Sequence, residues 1–188
     1  MAMKRFPLEK FATLELNQVA FPKTGMVVSQ TPLGAEFTED APCENGMWVV
    51  ADKAAGAIKS AAAATDKPMG IVYTAEKEYD DNHYGLKTFG RKIAGDYPRV
   101  GILGIGDTVT TNCLQYNDTT WSTVDALYAD LSKDLTVAAN AIYVAPVANS
   151  PVPQLTKSKP ASGIYAKVVK FYTVPNGEKG IKYQIISL

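Results

Sequence analysis

Few side chains in this 188-residue sequence have the type and spacing that chemistry needs. Asp80, Asp81 and His83 set two carboxylates beside the chain's single imidazole. Zinc requires three or four converging groups and calcium a longer series of spaced oxygens, so the trio reads as a solvated loop rather than a metal site. A nucleophile–imidazole–carboxylate relay would have to pass through His83, and no glycine-flanked nucleophile accompanies it. Paired carboxylates stay open on residue type alone, because 19 acids always include some pair at a workable separation. Gly101-x-x-Gly104-x-Gly106 has the look of a phosphate-cradling loop. Such a loop must open a helix whose free amides face the anion, whereas Thr108-Val109-Thr110-Thr111 continues as strand, so these are read as turn glycines.

Three further sets could bind rather than react. Trp48 and Trp121 would make a stacking platform if exposed; in a β-rich chain the ordinary place for them is the core. Arg91, Lys92 and Arg99 form a modest basic cluster, either a solvated face or a dock for an acidic partner. Cys43 and Cys113 lie far apart and are expected as two unpaired, partly buried thiols. No catalytic, metal-binding or cofactor-binding residue is assigned, and the chain is expected not to be an enzyme.

The elements that must position these residues are mostly strands. Tyr97 to Asn112 reads as two strands folded over a Gly106-Asp107 corner, with Val100, Ile102, Leu103 and Ile105 in the first and the β-branched Thr108 to Thr111 in the second. Met26 to Ser29, Met47 to Ala51, Ala57 to Lys59, Gly70 to Thr74 and Ala141 to Ala145 are further strands. Ser60 to Thr65 is alanine-rich but too short to nucleate a helix, and is expected as a loop or single turn. Glu76 to Gly85 is a polar surface loop. One amphipathic helix is predicted after Ser122 as its cap, with Val124, Leu127, Tyr128 and Leu131 at helical spacing. Pro146 to Pro160 is expected as a proline-broken crossing or loop, and Ile164 to Ile186 as a hairpin over an Asn176-Gly177 turn. The fold class is mainly β, a barrel or sandwich with one short helix.

Residues 1–24 form an extended N-terminal arm, and 25–188 the β-rich domain, with a possible sub-boundary near 113–122. Phe6, Leu8, Phe11, Leu14 and Leu16 are too many apolar side chains for a solvated tail, while Pro7 and Pro22 oppose a long helix. The arm therefore either packs along its own domain or reaches a neighbouring subunit.

Lys plus Arg equals Asp plus Glu at 19 each, which leaves no long-range field to attract nucleic acid. The longest uncharged stretch, Leu135 to Thr156, is interrupted by prolines and polar residues and cannot form an apolar bilayer-spanning helix. The first residues lack the apolar run of a signal peptide, so the protein is expected in the cytoplasm where it is made.

Three stretches resemble, in texture and order, the capsid decoration (cement) proteins of tailed bacteriophages. They are Glu44 to Asp52 running through Gly56-Ala57-Ile58-Lys59 to Pro68-Met69-Gly70-Ile71-Val72, then Tyr97 to Asn112, then the hairpin Lys167 to Ile186. The resemblance implies a subunit that joins an expanded lattice late, often as a trimer, and braces neighbouring major capsid proteins. Its implied partners are the major capsid protein and its own copies, and its implied location is the capsid surface of the virion. Phe6, Leu8, Phe11, Leu14, Leu16, Arg91 and Arg99 are the expected contact residues. A tail-tube or other self-assembling virion subunit stays open, as does a carbohydrate-binding module displaying Trp48 or Trp121.

Overall fold

The computed structural model describes residues 2–6, 12–14, 25–51, 56–74, 92–173 and 177–188. They form a mainly β structure of two open sheets and one short helix, which fits the sandwich rather than the barrel. The smaller sheet runs β2 (Val27–Val28), β5 (Val100–Ile102), β4 (Met69–Val72), β3 (Trp48–Val50), antiparallel throughout. The larger runs β1 (Met3–Arg5), β7 (Gln115–Asn117), β9 (Ser150–Thr156), β8 (Tyr143–Val147), β10 (Tyr165–Thr173), β11 (Lys179–Ser187), β6 (Thr108–Thr111). Within it only β7 and β9 pair in parallel.

Side-chain alternation explains why the small sheet reads as near-continuous apolar runs. Trp48, Met69 and Ile71 point into a core shared with Val109, Val144, Leu155, Val168, Ile181 and Tyr183 of the large sheet. Val49, Val72, Val100 and Ile102 point the other way, into a second core with Leu33, Phe37, Cys43 and Ile58. A sheet buried on both faces keeps no polar alternation. At its centre Gly70 is required by space, since a Cβ there would stand 2.4 Å from Val100 Cγ1 and 2.9 Å from the Gly101 carbonyl oxygen.

The expected hairpin at 97–112 is corrected by the strand pairing. β5 belongs to the small sheet and β6 to the large one, so the Gly104–Asp107 corner carries the chain between sheets instead of folding it back. Gly106 has φ +100°, a left-handed conformation that suits glycine. The Asp107 carboxylate accepts from the Gly104 amide at 2.7 Å, and the corner exchanges backbone bonds with Ile185 of β11. Local residues make the turn; which strand the second arm joins is decided by β11, some 70 positions away.

The closing hairpin is present as β10 and β11, paired from Tyr165↔Ser187 to Thr173↔Lys179. The loop expected over 146–160 is instead largely the strand β9, an interior member of the large sheet. Pro151 and Pro153 cannot donate to a ladder. The pairing accommodates them: the register with β8 shifts between Ala145 and Val147, and pairing with β7 begins at Gln154. The Gln115 side chain reaches across to the Val152 carbonyl at 2.6 Å.

The single predicted helix is α1 (Val124–Leu131), and its cap is Thr123 rather than Ser122. Thr123 is extended and its hydroxyl accepts from the Ala126 amide at 3.2 Å, while Asp125 complements the first turn. Leu127 and Leu131 are buried, and Tyr128 lies against Phe6 and Phe171.

Candidate functional site

Three of the buried polar side chains, Glu44, Thr111 and Asn112, gather around one segment, the N-terminal residues. β1 adds antiparallel to β7, with Met3↔Asn117, Lys4↔Tyr116 and Arg5↔Gln115 in register. The Phe6 amide donates to the Leu114 carbonyl at 2.8 Å, and the Phe6 ring is fully buried. Further along, Glu44 accepts from the Ala12 amide at 2.7 Å and from the Arg5 guanidinium at 3.3 Å. Asn112 Oδ1 accepts from the Thr13 amide at 2.6 Å. The Thr13 carbonyl in turn accepts from the Thr111 hydroxyl at 2.7 Å and the Asn112 amide at 3.2 Å. Glu178 orients this group by accepting from Asn112 Nδ2 at 2.7 Å. Leu14 then bridges to Thr111 and is buried.

Five of these bonds end on backbone atoms of the segment. Glu44, Thr111 and Asn112 are themselves 7%, 0% and 0% exposed, and each would carry a desolvation penalty without the partner that the segment supplies. The cradle thus holds backbone at residues 2–6 and 12–14 and buries the side chains of Phe6, Ala12 and Leu14.

A second feature lies at the end of the sandwich where β4, β5 and the C-terminus meet. A groove of about 270 Å³ is lined by Met69, Ile102, Leu103, Ile164 and Leu188, with Asp66 and Lys67 at its rim. Met26, whose carbonyl accepts from the Ile102 amide, is 62% exposed, and Ile105, two residues past Leu103, is 49% exposed. Leu188 is 40% exposed. The groove with Leu188, and the exposed Met26 and Ile105 near its lining residues, are apolar features of the kind that mark contact sites.

Elsewhere the charged groups serve the fold. Asp130 accepts from Lys133, Lys157 and the Trp121 indole, and Lys157 also sits over the Trp121 ring at 5.4 Å. The Lys133 hydrogen bond first, then those of Lys157 and Trp121, hold the Asp130 carboxyl well below the usual carboxylate range. A hollow of about 370 Å³ is lined by Arg5, Glu36, Asp40 and Glu44 together with apolar residues such as Phe37 and Val152. Among the described residues no group of three or more His, Cys, Asp or Glu side chains could hold a metal ion.

Of the expected contact residues, Phe6 and Leu14 are packed into the core of their own domain, the first of the two alternatives for the arm. Arg99 is exposed and its guanidinium stands 5.6 Å from the Tyr73 ring centroid. Leu8, Phe11, Leu16 and Arg91 lie outside the described residues, as do Asp80, Asp81 and His83. Trp48 and Trp121 are each 1% exposed, so neither offers the flat platform a glycan-binding reading needs. The Trp48 indole donates to the Tyr183 hydroxyl at 2.9 Å. Cys43 and Cys113 are unpaired and fully buried, not partly; burial pushes the Cys113 thiol up to about 12 and raises Cys43 as well.

Sequence reasoning missed Glu44, Asn112 and Glu178 as a set, because their shared target lies 32 to 99 positions from the first two. One signal was there: Thr110-Thr111-Asn112 is a polar run inside a strand-forming stretch, and burying it requires partners. Compared with protein-family models, curated proteins and solved structures, the chain matches none.

Proposed function

We propose that this protein is a structural subunit of a phage particle that binds the outer surface of the capsid and stabilises the lattice of major capsid protein. The reading rests on the resemblance carried by residues 44–72, 97–112 and 167–186. The observation that carries it furthest is the apolar end formed by Met26, Ile105, Leu188 and the adjoining groove. Such a surface suits a repeated protein contact, where individually weak interactions multiply across a shell. A formal net charge of zero suits dense packing, because like charges do not accumulate on the lattice.

The test is co-sedimentation with expanded heads assembled without this chain. Wild type should saturate the heads at a fixed stoichiometry. Ile105→Asp and Leu188→Asp, placed at exposed positions, should stay folded by circular dichroism and lose at least tenfold in occupancy. Unchanged occupancy would remove the apolar end from the interface. Rings or fibres formed by the purified protein alone would favour a tail-tube-like subunit instead.

A further inference from the structure

The N-terminal cradle has three properties that together bear on how copies of this chain meet. It engages backbone, at the Ala12 amide, the Thr13 amide and carbonyl and the Phe6 amide, and it buries the Phe6 and Leu14 side chains, so a second copy of the same segment supplies every group it needs. It receives the segment at the two edges of the large sheet, β1 against β7 and Leu14 against Thr111 of β6, so the segment can enter or leave without parting any pair of interior strands. It also joins the rest of the chain through residues 15–24, a length that can extend at most ~33–36 Å. A compact domain of this size has a radius of gyration of roughly 16 Å.

We infer that the cradle of Glu44, Thr111, Asn112 and the β7 edge is a strand-acceptor site for residues 2–6 and 12–14 of a second copy, so that copies exchange N-terminal segments. This deepens the reading of the chain as a lattice subunit by naming the residues through which sister copies are joined. The exchanged state reproduces each bond and buried side chain of the closed one, so it differs mainly in the entropy of bringing two chains together. A tether of this length gives an effective concentration of order millimolar, and dense packing on a shell brings neighbouring segments to a comparable level. The polar cradle keeps the exchange faithful: a segment out of register would strand the buried Glu44 carboxylate and the Asn112 amide without partners.

The experiment uses two full-length variants, Met3→Cys and Asn117→Cys, at positions paired in register across β1 and β7. Opposed residues of an antiparallel pair lie ~4.5–5.5 Å apart at Cα, within disulfide reach. The native thiols do not compete, since Cys43 and Cys113 are buried and held protonated. The two variants are mixed at high concentration, partly unfolded, refolded together and oxidised. A covalent heterodimer on a non-reducing gel is the expected result, several-fold above that from Met3→Cys mixed with Lys170→Cys, an exposed position on β10, which three strands separate from β1 in the sheet order. Equal yields, or no heterodimer, would overturn the exchange while the double variant Met3→Cys/Asn117→Cys closes within one chain. A double variant that does not close would contradict the β1–β7 dock and the inference with it. Head binding is read separately, so exchange without head binding would sink the capsid reading alone, and head binding without exchange would sink only this inference.

Discussion

Between the sheets, Trp48 and Tyr183 meet edge to face with centroids 5.8 Å apart, while across the N-terminal segment Glu44, Thr111 and Asn112 meet backbone amides and a carbonyl. The first contact joins residues of two different sheets through ring area and packing. Its strength is non-directional and is lost only when the sheets part. The second adds, to the burial of Phe6 and Leu14 in that same core, a set of directional bonds, each of which adds little net stability but is costly to leave unmade. The difference separates what folds the protein from what positions its N-terminal segment. It also predicts that the two can be broken independently.

The largest effect is expected in the inter-sheet core. Trp48→Ala removes a 1%-exposed ring and leaves the buried Tyr183 hydroxyl without its indole donor. It should cost ~3–5 kcal/mol in urea unfolding and destabilise every strand together. A loss below ~1 kcal/mol would mean that Trp48 does not join the sheets. Glu44→Ala comes next, at ~1–3 kcal/mol. Its signature is local: hydrogen exchange at Ala12 and Thr13 should accelerate while the amides of β4 and β10 keep their protection. Uniform acceleration would instead make the cradle part of the core.

The smallest effect is expected at Asp130, which ties α1 to Lys157 beyond β9 without entering either region. Both lysines are about half exposed, so Asp130→Asn should cost only about 1 kcal/mol at neutral pH. The carboxyl's folded-state pKa lies below its unfolded value of ~3.9 because of the Lys133, Lys157 and Trp121 bonds. Its contribution is therefore complete above that value and is lost as pH falls through the range between the two. The gap between variant and wild type should begin to close below pH ~4 and narrow steadily as the pH falls further; a gap that does not narrow would assign the effect to packing.

The strands best read from sequence were those whose partners are near in the chain. The hairpin of β10 and β11 was visible because two alternating runs flank an Asn-Gly pair, and α1 because Leu127 and Leu131 recur on one face above a hydroxyl cap. The crossing at Gly104–Asp107 was not, since a glycine-aspartate corner has the same local residues whether the chain returns or changes sheets. β9 was hidden by Pro151 and Pro153, which oppose an interior strand unless a register shift accommodates the missing donors; the Gln115 side chain separately donates to the Val152 carbonyl between them. The cradle was least legible, for its hydrogen bonds join residues close to 100 positions apart, as from Thr13 to Asn112. The apolar end was no clearer, because Met26, Ile105 and Leu188 come from three distant parts of the chain.

Whether this sandwich is a lattice subunit is tested most directly by electron cryomicroscopy of expanded heads incubated with the purified protein. Added density is expected at symmetry-related positions on the outer capsid surface, sized for this 20.2 kDa chain, with Met26, Ile105 and Leu188 turned toward the major capsid protein. Heads that stay bare at saturating protein would contradict it.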